Sequence, residues 1–203
     1  MPARNQDLHG SAPDQSPVAL LLIDVINDLE FEGGEALMEQ AAPMAEAIAA
    51  LKKRAKEAGI PVIYSNDNYG RWQSNFEKIV EHVLEDGVRG EPLARLLKPE
   101  ADDYFVLKPK HSGFFSTTLD TLLDYLGART LVMTGIAADI CVLFTANDAY
   151  MRDFFIVVPP DCVASESEEA RTRALDLMRD VLKADTTPST ELDLDALKRR
   201  DGE

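Results

Sequence analysis

Val18-Ala-Leu-Leu-Leu-Ile23 is an unbroken apolar run that stops at Asp24. Six aliphatic residues without alternation read as a β-strand buried on both faces, the pattern of a parallel sheet covered on each side by helices. The run is far shorter than the ~20 apolar residues that cross a bilayer. After the acidic turn Glu30-Phe-Glu-Gly-Gly34, the residues Leu37, Ala41, Met44, Ile48, Leu51 and Ala55 recur at spacings of 4, 3, 4, 3 and 4. That period predicts a helix with one apolar stripe, and Gly59 stands where a left-handed cap ends it. Pro61-Val-Ile-Tyr64 reads as the next strand.

The alternation continues along the chain. Ser65 to Gly90 is a polar loop with a short amphipathic helix at Phe76–Leu84. Tyr104–Leu107 reads as a strand in the middle of the sheet, ending at Lys108. Leu119–Leu126 reads as a helix closed by Gly127, Thr130–Thr134 as a strand and Ile140–Met151 as a helix. Phe155–Val158 reads as a strand, and a helix spans about Glu166–Leu182. A last short strand is expected at Lys183–Thr187 and a tail helix at Leu192–Arg199. Strands alternating with helices predict an α/β domain with a parallel sheet covered on both faces.

The chain has 203 residues, 45% of them hydrophobic and 28% charged, which fits one globular domain rather than a disordered or fibrous chain. Residues 1–16 read as a flexible N-terminal tail, 17–190 as the domain and 191–203 as a C-terminal tail or helix. Asp and Glu outnumber Lys and Arg by 36 to 21, and the formal charge is −15. Such a surface repels phosphate backbones and anionic lipids, so we expect no nucleic acid and no membrane as partners. Cys141 and Cys162 are too few for a disulfide framework, and the polar stretch Met1–Pro17 holds no signal-peptide core, so a cytoplasmic location is expected.

Several common chemistries leave no trace. None of the eleven glycines is followed by another two positions later, so the dinucleotide fingerprint is missing. The phosphate-loop pattern and the Gly-x-Ser-x-Gly elbow are missing too. The histidines at 9, 82 and 111 are never paired at metal-ligand spacing.

In open parallel sheets, ligands bind beyond the carboxyl ends of the strands. Asp24 follows the first strand, Lys108 ends another, and Cys141 lies just past Thr130–Thr134, at the start of a helix. A helix N-terminus and an ammonium favour the thiolate, a carboxylate can take and return the proton, and backbone N–H groups can hold an oxyanion. The set is suited to acyl transfer. Taken singly, Asp24 reads equally as a turn aspartate, Cys141 as a small core residue and Lys108 as a surface lysine. Cys162, after Pro159-Pro-Asp161, reads as structural.

Three segments carry a resemblance. They are Leu22-Ile-Asp24-Val-Ile-Asn27-Asp28, Lys108-Pro-Lys-His-Ser112-Gly-Phe114-Phe-Ser-Thr117 and Thr134-Gly-Ile-Ala-Ala-Asp139-Ile-Cys141-Val. In order and spacing the chain resembles the isochorismatase-like cysteine hydrolases, a superfamily that includes nicotinamidases and N-carbamoylsarcosine amidohydrolases. The resemblance implies a three-layer α/β/α domain on a six-stranded, mostly parallel sheet. It implies a catalytic triad of Asp24 as base, Lys108 as its charged partner and Cys141 as nucleophile through a thioester. It also implies a cis peptide before Ala137 and an oxyanion hole from the N–H groups of Ala137 and Cys141.

Ile26, Leu29 and Ala138 stand where the family often has Gln, Phe and Thr, which makes the pocket floor more apolar. Cys141 favours amide hydrolysis over ether cleavage, and Asn66-Asp-Asn-Tyr-Gly-Arg-Trp72 lacks the histidines of the metal-dependent nicotinamidases. No metal and no cofactor are expected. Asn68, Tyr69, Trp72 and Phe114 are candidate substrate-binding residues, Arg71 and Lys110 candidate carboxylate partners, and His111 reads as a loop histidine. The expected activity is hydrolysis of a small linear amide or carbamoyl compound, in a homo-oligomer whose other partner is the substrate. The alternatives are a nicotinamidase-like or ether-cleaving enzyme and a non-catalytic binding domain on the same fold.

Overall fold

β1 (Val18–Ile23) lies between two parallel neighbours, and every one of its six residues is buried. The computed structural model describes residues 12, 14–70 and 75–200. Side chains alternate along a strand, so β1 divides its residues between two cores. Val18, Leu20 and Leu22 meet Leu37, Ala41, Met44, Ile48 and Leu51 on one side, while Ala19, Leu21 and Ile23 meet Leu119, Leu123 and Ala146 on the other. The helical stripe belongs to α1 (Gly34–Glu57), with all six of its period-setting residues buried.

The remaining elements are β2 (Val62–Asp67), α2 (Phe76–Glu85), α3 (Glu91–Leu96), β3 (Tyr104–Lys108), α4 (Leu119–Leu126), β4 (Thr130–Ile136), α5 (Leu143–Tyr150), β5 (Phe155–Val157), β6 (Val163–Ala164), α6 (Glu168–Asp180) and α7 (Leu194–Arg199). The sheet has six strands in the order β3-β2-β1-β4-β5, with β6 also on β4, and every pairing is parallel. Helices cover both faces, giving three layers. α1, α2, α3 and α7 contribute to one core and α4, α5 and α6 to the other. Asp14 accepts a 2.6 Å hydrogen bond from Tyr104, and the Ser16 N–H donates to Leu126 O. Among the described residues, no helix is long and apolar enough to cross a membrane.

Three expectations need correction. The sixth strand is Val163–Ala164, which pairs with Gly135 and Ile136. Lys183–Thr187 contributes only a single bridge, Asp185 to Val157. The segment Lys183-Ala-Asp-Thr-Thr187 has one buried apolar residue, Ala184, too few to hold a strand against the sheet. β3 is an edge strand rather than a middle one, and Phe105 is correspondingly exposed. The short α3 lies inside the stretch that follows the polar loop, where its Leu93 and Ala94 enter the core.

Gly135 has φ +111, and a Cβ there would sit 2.0 Å from Ile23 O, so β4 can lie this close to β1 only with glycine. That approach brings the chain after β4 over the end of β1.

Candidate active site

Asp24 leaves β1 with φ +51, a left-handed turn that aspartate tolerates better than most residues. Its N–H donates to Ser65 O, and its Oδ1 accepts the Asp67 N–H at 2.7 Å. Lys108 ends β3 opposite Asp67, two strands away from β1. Its side chain reaches past β2, placing Nζ 2.7 Å from Asp24 Oδ2 and 4.0 Å from Asp67 Oδ2. Lys108 is 0% exposed. A charge so buried must be paired, and Asp24 is the nearer carboxylate.

Cys141 arrives from the other neighbour of β1. The Ile136–Ala137 peptide is cis, and Ala138–Val142 then forms a single π-helical turn ahead of α5. The Ala137 carbonyl accepts the N–H groups of Ile140 and Val142, both at 3.1 Å, and the intervening Cys141 N–H takes no part in those bonds. Two side chains fix the turn. Asp139 accepts Ser165 Oγ–H at 2.6 Å, and Thr145 Oγ1 donates to Cys141 O at 2.7 Å. Cys141 Sγ consequently lies 3.5 Å from Lys108 Nζ, so residues 84 and 33 positions apart in the chain meet at one ammonium.

The electrostatics of this cluster are coupled. Burial raises the Asp24 carboxyl above its ordinary range despite the opposing pull of the Lys108 charge. Burial lowers the Lys108 ammonium most strongly of any single cause, but Asp24, Cys141 and Asp67 together outweigh it and the net direction is up. The Cys141 thiol is pushed up to about 12, first by burial and then by the Asp24 charge, with Lys108 opposing. Burial thus works on the thiol against the pull of the helix start and the ammonium, and the base beside it is a carboxylate made more basic by burial.

The pocket residues divide. The Tyr69 phenol is pushed up, first by desolvation and then by the carboxylates of Asp28, Asp24 and Asp67, although the residue is 37% exposed. Asn68 is committed locally, its Oδ1 accepting the Gly70 N–H at 2.8 Å. Phe114 does not line an open pocket. It is 5% exposed, packs 6.0 Å from Phe154 and lies under the Arg152 guanidinium at 4.7 Å. An aromatic placed on a loop by its neighbours is turned into the core by the apolar layer below it. Trp72 and Arg71 lie outside the described residues.

Two neighbours of the cluster carried no role in the reading of the sequence. Asp67 faces Lys108, and His111, read there as a loop histidine, has Nδ1 3.9 Å from Cys141 Sγ. The signal for Asp67 was its position at the end of β2, opposite Lys108. The signal for His111 was its place three residues beyond Lys108, on a loop returning over the same edge. Among the described residues, no group of three or more His, Cys, Asp or Glu is placed to hold a metal ion.

The two thiols differ in access. Cys141 is partly exposed and Cys162 is buried at 0%. Iodoacetamide near neutral pH is expected to label Cys141 and to spare Cys162 until the protein unfolds. Peptide mapping after alkylation measures this, and equal labelling of both in the folded protein would contradict the geometry.

Comparison with known proteins agrees with this architecture. The isochorismatase domain model matches residues 18–190. The chain is 43% identical over 174 residues to YaaI, an uncharacterised isochorismatase family protein of Bacillus subtilis, covering 86% of this chain and 95% of the relative. It is 30% identical over 186 residues to a ureidoacrylate amidohydrolase, RutB, of Methylorubrum extorquens, covering 79% of this chain and 74% of that protein. The crystal structure of N-carbamoylsarcosine amidase from Thermoplasma acidophilum superposes with a TM-score of 0.69 at 29% identity, over 87% of this chain and 98% of that one.

Proposed function

Because the chain belongs to the isochorismatase domain family, we propose that it hydrolyses a C–N bond of a small amide or carbamoyl substrate through a thioester on Cys141. One observation carries the reading: a fully buried Lys108 ammonium 2.7 Å from the Asp24 carboxylate and 3.5 Å from the Cys141 sulfur. A buried charge between a base and a nucleophile is costly to maintain for packing alone. The amide-cleaving activities named for RutB and for the carbamoylsarcosine amidase support the same bond class.

Each step can be assigned to groups of this chain. Asp24 takes the thiol proton as Sγ attacks the carbonyl carbon, and the tetrahedral oxyanion is received by the N–H groups of Ala137 and Cys141. The intermediate collapses, Asp24 returns the proton to the leaving nitrogen, and ammonia or an amine departs. Water then gives a proton to Asp24 and attacks the thioester. Collapse expels the sulfur, which regains that proton and leaves the free acid. Lys108 stays charged throughout, offsetting whichever neighbour is negative.

A screen over small linear amides, ureides and carbamoyl acids, reading released ammonia, tests the proposal. Turnover of at least one class supports it. Cleavage of a vinyl ether with no amide turned over would replace it with the ether-cleaving alternative.

The pH profile follows from the Asp24 shift. The reaction needs Asp24 ionised, and burial raises its pKa above the ordinary 3.8. The acid limb of kcat/KM is therefore expected above the usual aspartate range, and a limb at or below 3.8 would remove Asp24 from the base role. Stability runs the opposite way. A carboxyl whose folded pKa is raised favours folding most when protonated, and that contribution is lost as pH rises through the folded value.

With backbone donors at the oxyanion and a thiol nucleophile, no Lewis acid is required. Dialysis against EDTA is expected to leave the rate unchanged. Loss of activity restored by zinc, iron or manganese would contradict this.

A further inference from the structure

The sulfur of Cys141 is bracketed unequally. Its buried side meets Lys108 and Asp24, and its other side meets His111, an exposed residue whose Nδ1 is 3.9 Å away. At that distance the imidazole is not a strong partner of the thiol. What fixes the ring is Phe144, with centroids 5.4 Å apart and planes tilted by 53°. Phe144 is 51% exposed and lies on the helix turn after the nucleophile, three residues beyond it. One ring thus stands beside the sulfur and a second stands against that ring, both exposed, although burying a phenylalanine ring is strongly favourable.

We propose that His111 and Phe144 form an aromatic wall of the substrate pocket, selecting planar, conjugated amides or ureides over flexible saturated ones. The inference rests on Cys141 being the reacting group, as proposed above. A substrate that reaches Sγ from solvent comes in on the exposed His111 side, because Lys108 is fully buried. A planar substrate can lie against the two rings and gain stacking, with a hydrogen bond to the imidazole. A saturated chain presents less flat area and loses more rotational freedom on binding.

The test uses alkylating probes, so it does not depend on turnover. Iodoacetamide and N-phenyl-2-iodoacetamide carry the same reacting carbon and differ in a planar ring. Their rates at Cys141 are measured by peptide mass and divided by their rates with glutathione. Wild type is expected to prefer the phenyl reagent. His111→Ala and Phe144→Leu are each expected to cut that preference, the ratio of the two corrected rates, by about two- to tenfold, the range of an aromatic contact. Phe144→Leu keeps apolar bulk, and circular dichroism checks the fold.

An unchanged preference in both variants overturns the wall. An equal loss with both reagents overturns it too, because His111 would then act on the sulfur rather than on the bound molecule. Changed subunit number with the preference intact would make this face a contact between copies instead. A chain that hydrolyses no amide yet shows the His111-dependent preference would keep the wall and refute the hydrolase proposal, so the two failures are separable. With an active planar substrate, His111→Ala is expected to raise KM by about two- to tenfold with little change in kcat, a split that general damage to the fold would not produce.

Discussion

Cys141→Ala is expected to abolish turnover while the protein stays folded. Without the sulfur there is no covalent route, and loss of a catalytic nucleophile typically costs on the order of 10⁴-fold or more. The structural cost is small by comparison. Cys141 is only partly buried, and the π-helical turn around it is held by Ala137 O, by Asp139 with Ser165 and by Thr145, none of which needs the thiol. A mild truncation of this kind costs about 1 kcal/mol. The circular dichroism spectrum and melting transition of the variant should therefore stay near those of wild type. Cys162→Ala removes a fully buried sulfur whose polar neighbours are Asp161 and Ser189 rather than Asp24 and Lys108, and most activity is expected to remain. Comparable rates for wild type and Cys141→Ala would end the nucleophile role.

Lys108→Met is expected to remove both activity and stability. The substitution keeps most of the side-chain length but strands Asp24 as an unpaired buried carboxylate. Breaking a buried pair from one side costs about 3–5 kcal/mol, whereas exposed pairs seldom exceed about 1 kcal/mol. The Asp24 carboxyl should respond by rising further, because the ammonium that opposed desolvation is gone. Adding Asp24→Asn to Lys108→Met removes the stranded charge. The double variant should regain part of the lost stability in urea denaturation and none of the activity. If Lys108→Met unfolds at the wild-type midpoint, Asp24 and Lys108 are not a buried pair in the folded protein.

The parts of this molecule that were legible in the sequence are those where one local rule decides. Val18–Ile23 has no polar residue to offer either face of a sheet, and Leu37 to Ala55 keeps one period for five turns, so strand and helix followed directly. Asp24, Lys108 and Cys141 were each ambiguous alone; their convergence on one sheet edge made them candidates, and the family resemblance of the segments that carry them implied their roles. Positions decided by packing between distant segments were harder. β6 is two residues long and exists because Gly135 and Ile136 extend beyond the end of β5, which no periodicity over Val163–Ala164 reveals. The edge position of β3 depends on sheet order, and a five-residue strand reads the same at an edge or in the middle. Phe114 and Phe115 are adjacent aromatics on one loop, yet the first is buried and the second 54% exposed, and only the layer beneath the loop separates them. His111 had no pattern of its own. It reaches Cys141 because Lys108 is anchored three residues earlier and Phe144 lies three residues past the nucleophile.

The most direct test of the account is to trap the covalent intermediate. With a substrate found by the ammonia screen, turnover is quenched in acid within the first cycles and the protein is digested and mapped by mass. An added acyl mass is expected on the peptide carrying Cys141, removable by hydroxylamine as a thioester is, and absent from Cys141→Ala. Sustained hydrolysis with no adduct on Cys141, or an adduct on Cys162 instead, would contradict it.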